Sequence, residues 1–213
     1  MRRAGGSSYY PLFFKLSGRI CVVVGGGRVA DRKVRSILKC GARVHVICPQ
    51  ACKSIRALHH TRKIKLTERA YRPADLQGAT LVFAATNDIQ TNLRVSQDAR
   101  KKQIPVNVAD SPDLCDFIVP AVVTQGSVII AISTSGTLPM LARKLREEIE
   151  RQLSKDLARY AVKVGRLRKL LMERVGDRKK RQKILKEISA ASISELAAMS
   201  VKELRDRFLM KNR

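Results

Sequence analysis

The chain has 213 residues, 45% of them hydrophobic, and a formal net charge of +25. This length and hydrophobic content allow one buried core with a smaller second domain, and they exclude a disordered protein. The basic charge is spread over both halves of the chain. It is compatible with a nucleic-acid partner, an acidic small substrate or a generally basic composition. An aromatic content of 4% argues against a protein that binds single strands by base stacking.

The first predicted elements alternate between strand and helix. Residues 20–24 are wholly apolar, 29–38 have apolar side chains at helical spacing before Gly41, and 44–47 are apolar again before Pro49. Further strands are predicted at 66–70, 81–85 and 106–109, and a helix is predicted at 87–102 with Thr86 or Asn87 as its cap. This order predicts a Rossmann-like, doubly wound α/β domain with a parallel sheet.

After Asp110 the pattern changes. Apolar runs at 117–123 and 128–133 flank a polar turn and predict a hairpin or dimer-forming strands. Apolar residues then recur every four positions along one helical face and predict core or a dimer seam: Leu141, Leu145, Ile149, Leu153 and Leu157. The remainder is predicted to be helical, with breaks at Gly165 and Gly176 and capping boxes at Ser192 with Glu195 and at Ser200 with Glu203.

These patterns predict three domains: a Rossmann-like α/β domain at 1–112, a small segment containing strands at 113–150, and a helical domain at 151–213. Residues 1–8 resemble neither a signal peptide nor a membrane span, so we expect a cytoplasmic protein without a membrane partner. The five cysteines are odd in number and lack a Cys-x-x-Cys pair, which favours a reducing compartment. Cys48 and Cys52 precede His59 and His60 at a spacing unlike that of zinc sites, so no metal site is predicted.

The glycine run after the first strand is the main chemical signal. Residues 25–30 match Gly-x-Gly-x-x-Ala between an apolar strand and a helix. Gly25 permits a tight turn, Gly27 lets the backbone approach a pyrophosphate, and Ala30 lets the helix pack on the sheet. Arg28 adds positive charge at the helix N-terminus, where free N–H groups favour phosphate. The alternative is a glycine-rich turn without a ligand.

One expected feature of a dinucleotide site is missing. An acidic residue usually ends the second strand and binds the adenosine ribose, but Cys48 stands near that position. The choice between NAD and NADP therefore stays open, and Lys53 or Arg56 could favour a 2′-phosphate.

Six short motifs, in this order, resemble the precorrin-2 dehydrogenases of sirohaem synthesis, which stand alone or form the front part of sirohaem synthase. The motifs are YPLF at 10–13, GGGRVADRK at 25–33, AATND at 84–88, NVAD at 107–110, CDFIVPA at 115–121 and STSGT at 133–137. The resemblance covers about residues 9–150. It implies a homodimer that transfers a hydride from precorrin-2 to NAD and yields sirohydrochlorin. It also implies that the domain at 1–112 binds NAD and that the segment at 113–150 serves dimerisation and substrate binding.

The resemblance also implies roles for individual residues. Cofactor binding is carried over to Gly25, Gly27, Arg28 and Val29 in the glycine loop, to Thr86, Asn87 and Asp88 beside the nicotinamide ribose, and to Asn107 at the sheet edge. Asp110 matches the family's essential aspartate, whereas the residues alone favour a helix or turn cap before Pro112. Carboxylates of the tetrapyrrole are expected on Ser133, Thr134, Ser135, Gly136, Thr137 and Arg143, where ordinary helix capping and a solvated helix face are the alternatives.

Two other functions remain as alternatives. A bifunctional dehydrogenase and ferrochelatase is possible because some family members insert iron and Asp110 could bind a metal. The three histidines all precede residue 61, however, which argues against dependable metal handling. A basic nucleic-acid-binding protein would explain the charge, but no recognition-helix or aromatic signature supports it.

Overall fold

The computed structural model describes residues 9–153 and 155–210. The chain divides into two compact units, with the boundary between Val119 and Pro120. The three-part division expected from the sequence is finer than this one and stays a prediction, and the residues 1–8 considered for a targeting signal lie outside the described part.

The first unit is an open, parallel, five-stranded sheet with the strand order β3-β2-β1-β4-β5. Its strands are β1 (Ile20–Val24), β2 (Arg43–Cys48), β3 (Ile64–Glu68), β4 (Leu81–Ala84) and β5 (Val106–Val108). Its helices are α1 (Arg28–Lys39), α2 (Lys53–His60) and α3 (Ile89–Lys101). Strand order reverses between β1 and β4, which are parallel neighbours. The doubly wound α/β fold expected from the sequence is therefore confirmed.

Two buried clusters cover the two faces of this sheet. Alternate residues of β1 divide between them: Cys21 and Val23 pack with α1 on one face, while Val22 and Val24 pack with α3 on the other. This division explains why the strand is apolar throughout, since a strand covered on both faces has no solvent side.

The second unit contains an antiparallel hairpin, five α-helices and a short π-helical segment, Asp206–Met210, among its described residues. The hairpin consists of β6 (Ala121–Gln125) and β7 (Val128–Ile132), paired in register across Gly126 and Ser127. The helices are α4 (Pro139–Gln152), α5 (Lys155–Arg174), α6 (Arg178–Ala190), α7 (Ile193–Ala198) and α8 (Val201–Arg205). A separate core of leucines, isoleucines and Phe208 joins α5 to the later helices.

Several boundaries differ from the sequence predictions. The third strand begins two residues earlier than expected, and the first hairpin strand begins at Ala121 and not at 117. The 141–157 stripe is divided between two helices, because α4 ends at Gln152. Gly165 lies inside α5 and not at a break, whereas Gly176 separates α5 from α6.

The two predicted capping boxes have different outcomes. Ser200 and Glu203 form one at the start of α8, and this prediction is confirmed. Ser192 makes no side-chain cap at α7, so the other prediction is wrong. The Ser192 hydroxyl instead lies 2.8 Å from that of Ser194. Among the described helices, none combines the length and apolar character that crossing a bilayer requires.

Candidate functional site: the carboxyl edge of the parallel sheet

The glycine loop links β1 to α1 at the point where the strand order reverses. The Gly25 N–H donates to the Ile47 carbonyl at 2.9 Å, and its φ of +131° lies where side chains are rarely tolerated. A Cβ at this position would lie 2.2 Å from the Ala85 carbonyl oxygen. Gly25 is therefore required for the close approach of the loop to the end of β4.

Gly26 is a structural requirement that sequence analysis missed. A Cβ there would lie 2.0 Å from the Gln50 carbonyl oxygen and 2.7 Å from the Cys48 sulfur. The Gly26 carbonyl also accepts a hydrogen bond from the Cys52 N–H at 2.8 Å. The signal was present in the sequence, since a third consecutive glycine exceeds what the Gly-x-Gly motif needs.

Gly27 differs from both neighbours. It has an ordinary φ of −87°, and no described atom lies within 4 Å of the position that a Cβ would occupy. It is the N-cap of α1 and provides no side-chain cap, so the N–H groups of the first turn have neither an intrahelical acceptor nor a capping side chain. Ala30, one turn later, is completely buried against the sheet.

These features fit the pyrophosphate of a dinucleotide. Glycine is required at 25 and 26 because a side chain there would clash with the protein itself. At 27 a side chain would meet no described protein atom, so the space kept free by this glycine is available to a ligand. Arg28 is exposed at the first helical position, and Val29 is partly buried beside it. A helix N-terminus with unsatisfied N–H groups and an added cation favours phosphate.

The segment after β4 is held by bonds within the chain. The Thr86 hydroxyl lies 2.8 Å from Oδ1 of the buried Asn92, whose Nδ2 donates to the Thr86 carbonyl at 3.0 Å. Asp88, and not Thr86 or Asn87, is the N-cap of α3 and accepts from the Gln90 and Thr91 N–H groups. The expected cap position is therefore wrong by one or two residues. Asn92, which was not predicted, fixes Thr86 at the sheet edge.

The pKa of Asp88 is lowered, chiefly by a short hydrogen bond from the Thr91 hydroxyl and also by the backbone N–H groups of Thr91 and Gln90. The carboxylate therefore stays charged at the start of α3, and Asn87 beside it is exposed.

Asp110 follows β5 in a left-handed backbone conformation. Its φ is +58° and its side chain is exposed. Outside glycine such a conformation is uncommon, although aspartate tolerates it better than most residues. Backbone strain of this kind is concentrated at functional positions, where the surrounding structure holds it in place.

The thiol of Cys115 closes the loop that carries Asp110. Its sulfur lies 3.1 Å from the Val108 N, 3.2 Å from the Val108 O and 3.3 Å from the Ser111 O. Asn107 adds a second clamp, because its Nδ2 donates to the Phe117 carbonyl at 2.9 Å. Asn107 is buried, and without a bound ligand its side chain serves to hold this loop.

Lys33 is a cation near this edge whose role sequence analysis missed. Its ammonium donates to Asn107 Oδ1 at 3.3 Å and lies 5.9 Å from the centre of the Phe83 ring. The pKa of Lys33 is lowered, chiefly by burial and further by the charge of Arg32. Interactions with Cys115 and Asp110 partly oppose this shift. Its position in the second turn of α1, five residues after Arg28, was the signal available.

The expected substrate residues belong to the second unit. The segment 133–137 forms a turn in which Ser135 and Gly136 have positive φ angles. The Ser133 hydroxyl accepts from the Ser135 N–H at 3.0 Å, and the Thr134 hydroxyl accepts from the Leu138 N–H at 3.2 Å. The Thr137 hydroxyl donates to the Thr134 carbonyl. Ordinary turn and helix capping therefore accounts for part of this motif.

Arg143 is exposed on α4 and donates from its Nε to Glu147 at 3.0 Å. That bond is the main reason why the pKa of Glu147 is lowered, and Arg146 contributes as well. A carboxylate ligand at Arg143 would therefore compete with Glu147.

The glycine loop, the Thr86 segment and Asp110 follow the carboxyl ends of β1, β4 and β5, respectively. Asn107 lies within β5, one residue before that strand ends. Open α/β sheets bind ligands at this edge, beside the point where strand order reverses. In the described ranges, no three His, Cys, Asp or Glu side chains converge as metal ligands would.

Two family models match the chain. A family described as NAD(P)-binding matches residues 12–121, and a family described as sirohaem biosynthesis protein, central, matches residues 125–152. The siroheme synthase of Methylobacillus flagellatus is 38% identical over 185 residues, covering 87% of this chain and 40% of that protein. The siroheme synthase of Nitrosomonas europaea is 41% identical over 167 residues, covering 78% and 35% respectively.

The chain thus spans well under half the length of these relatives. The solved structure of SirC, a precorrin-2 dehydrogenase, has 24% sequence identity, a TM-score of 0.77 and coverage of 94% of this chain and 98% of that one. This likeness shows a shared fold.

Proposed function

The chain belongs to the NAD(P)-binding family that its residues 12–121 match, and on that premise we propose that it oxidises precorrin-2 to sirohydrochlorin with NAD as the hydride acceptor. One observation carries the proposal: the N-terminus of α1 at Gly27 and the left-handed Asp110 follow the carboxyl ends of β1 and β5, which flank β4 at the same edge of the parallel sheet. The adjoining match to a sirohaem biosynthesis family supports the choice of substrate.

The chain's own residues would hold the dinucleotide at its phosphates. The backbone N–H groups of the first turn of α1, from Gly27 to Val29, would bind the phosphates, and the exposed Arg28 adds a cation there. Gly25 contributes by its conformation, because it brings the loop against Ala85. Thr86, Asn87, Asp88 and Asn107 would border the nicotinamide end. The bound nicotinamide supplies the acceptor for the hydride.

Asp110 would take the proton. Converting precorrin-2 to sirohydrochlorin removes two hydrogen atoms, one leaving as a hydride and the other as a proton, so a base beside the substrate is needed. The bonds made by Cys115 and Asn107 hold the loop that carries the exposed Asp110 carboxylate, which supports this role. The cation of Lys33 is attracted to this carboxylate. General-base catalysis of this kind contributes roughly 100-fold to 10,000-fold in rate.

The substrate is a tetrapyrrole with several acetate and propionate carboxylates. A net charge of +25 would attract such a polyanion by long-range electrostatic steering. Within the second unit, the turn 133–137 and Arg143 are the proposed carboxylate contacts. Arg143 would then exchange its bond to Glu147 for one to the substrate.

A homodimer is the proposed assembly. Side chains of β6 and β7 alternate, and the outward face of the hairpin is formed by Val122, Thr124, Ile129 and Ala131, which pair across the strands and are exposed. A two-stranded sheet is marginal in water unless it packs against further structure. A second copy of the hairpin would cover this face. The proposed compartment is the cytoplasm, supported by five unpaired cysteines.

Anaerobic incubation of the purified chain with precorrin-2 and NAD⁺ tests the proposal. We expect sirohydrochlorin and NADH to form, and Asp110→Asn to slow the reaction roughly 100-fold or more while NADH binding is retained. Asp113→Asn is the matched control, because Asp113 is exposed in the same loop and should leave the rate near that of the wild type. Full activity of Asp110→Asn would refute the role of Asp110. Absence of NADH formation by the wild type would refute the proposed reaction, and a parallel arm with Fe²⁺ tests the bifunctional alternative.

A further inference from the structure

The end of β2 has no carboxylate for the adenosine ribose. In dinucleotide-binding folds an Asp or Glu about 20 residues after the glycine loop usually binds the ribose 2′-hydroxyl, and a nearby Arg accommodates a 2′-phosphate instead. Here the last residue of β2 is Cys48, which is buried. Its sulfur lies directly against the loop, 2.7 Å from the position of a Cβ on Gly26. This side chain therefore packs beneath the loop and leaves the ribose without its usual partner.

The neighbouring strand supplies a carboxylate at the same level. β2 and β3 are parallel, and the register pairs Cys48 with Glu68, the last residue of β3. Paired residues of adjacent strands point to the same face of a sheet, so Glu68 projects on the side of Cys48 and α2. Burial raises the pKa of the Cys48 thiol, Glu68 and Cys52 raise it further, and Arg56 lowers it. Both Glu68 and Arg56 thus act on the end of β2.

Arg56 on α2 is already paired with that carboxylate. Its Nε and one terminal nitrogen lie 3.1 and 2.8 Å from the same oxygen, Oε1 of Glu68. The pair is about half exposed, with side-chain exposures of 51% and 42%. Both bonds are made to Oε1, so Arg56 leaves Oε2 of Glu68 available to another donor. The pair also neutralises the charge of Arg56, the one arginine in α2.

We infer that Glu68 replaces the carboxylate missing from β2 and, with Arg56, makes the site selective for NAD over NADP. A ribose diol can donate a hydrogen bond to the Glu68 carboxylate, whereas a 2′-phosphate would be repelled by it. Arg56 would attract that phosphate, but its guanidinium is already paired with Glu68. The inference rests on the dinucleotide site of the proposed function and does not depend on the tetrapyrrole.

Fluorescence titration of NADH and of NADPH, at constant ionic strength, tests this directly. The wild type is expected to bind NADH at least tenfold more tightly than NADPH. In Glu68→Gln the carboxylate charge is gone and Arg56 is released, so the ratio of the two dissociation constants should shift at least tenfold towards NADPH. Adding Arg56→Met to Glu68→Gln should remove the gain in NADPH affinity, which separates the arginine's contribution from loss of the carboxylate.

Glu173→Gln is the control for net charge. It removes one carboxylate from an exposed pair with Lys169 on α5, in the other unit, and should leave the ratio unchanged. Because the Arg56–Glu68 pair is half exposed, the variants should unfold close to the wild-type temperature. That measurement confirms that changes in binding do not arise from unfolding.

The outcomes separate this inference from the proposed function. If both dinucleotides bind and Glu68→Gln leaves their ratio unchanged, or if the wild type prefers NADPH, the role of Glu68 is wrong while the dinucleotide site stands. If the wild type binds neither NADH nor NADPH, the proposed function fails together with this inference.

Discussion

Alanine substitution at Gly25 and at Gly27 should have opposite consequences. At Gly25 the added Cβ would lie 2.2 Å from the Ala85 carbonyl oxygen, and the backbone φ of +131° disfavours any side chain. Strain of that backbone costs about 1–3 kcal/mol and overpacking about another 1–3 kcal/mol. Gly25→Ala should therefore lower the free energy of unfolding by roughly 2–6 kcal/mol, a large part of the total of about 5–15 kcal/mol for a domain.

Gly27→Ala should instead leave the fold nearly intact. No described atom lies within 4 Å of its Cβ position, and its φ of −87° suits alanine. Replacing glycine by alanine at an N-cap costs about 1 kcal/mol or less. The methyl group does, however, project into the space where a pyrophosphate would approach the N–H groups of α1. We expect NADH to bind at least tenfold more weakly, which corresponds to about 1.4 kcal/mol.

The assay combines denaturant unfolding with NADH fluorescence titration on the wild type and both variants. The expected pattern is a destabilised Gly25→Ala and a stable Gly27→Ala with weak binding. Wild-type affinity in Gly27→Ala would refute the placement of the phosphates at this helix end. Equal destabilisation of both variants would refute the distinction between packing and ligand space.

Three further predictions concern the support around the site. Asp75, whose side chain is 6% exposed, accepts two hydrogen bonds from Arg69, which lowers its pKa. A carboxyl whose pKa is lower in the folded state stabilises the protein above its unfolded-state pKa, and this stabilisation is lost as the pH falls through the folded-state pKa. Asp75→Asn should therefore lower the free energy of unfolding by about 1.5–3 kcal/mol at neutral pH and leave it unchanged in strong acid. An equal loss at both pH values, measured by urea unfolding, would contradict this. Cys115→Ala should free the Asp110 loop, speed amide exchange at Val108 and reduce turnover, and unchanged exchange would show that the thiol is not a clamp. Ile129→Lys should convert a dimer to a monomer in light scattering, and a persistent dimer would exclude the hairpin face.

Local sequence patterns were sufficient for the nucleotide-binding half of the sheet. The strand 20–24, the glycines and the helix that follows are adjacent in the chain, and their apolar spacing and turn residues identify them without tertiary information. At Gly26 the third consecutive glycine was a visible signal, but its cause was not. Glycine is needed there because Gln50 and Cys48 approach it after the chain returns through β2.

Other errors arose where several residues were equally suitable or where packing overrode propensity. Thr86, Asn87 and Asp88 can all cap a helix, and only the bond between Thr86 and buried Asn92 leaves the cap to Asp88. Gly165 remains helical because Leu167 and Leu171 are completely buried, which offsets a glycine cost of about 1 kcal/mol. Cys115 carried no local signal for its contact with Val108. The position of Lys33 near the start of α1 was visible in the sequence, but its bond to Asn107 joins residues 74 positions apart and was not.

The most direct test is to measure the molar amounts of NADH and sirohydrochlorin that the purified chain forms under anaerobic conditions. With precorrin-2 and NAD⁺ supplied together, NADH and sirohydrochlorin should appear in equal amounts, and omission of either reactant should abolish both. Sirohydrochlorin that accumulates without matching NADH, or precorrin-2 that persists while NADH binds normally, would contradict dinucleotide-dependent oxidation at this sheet edge.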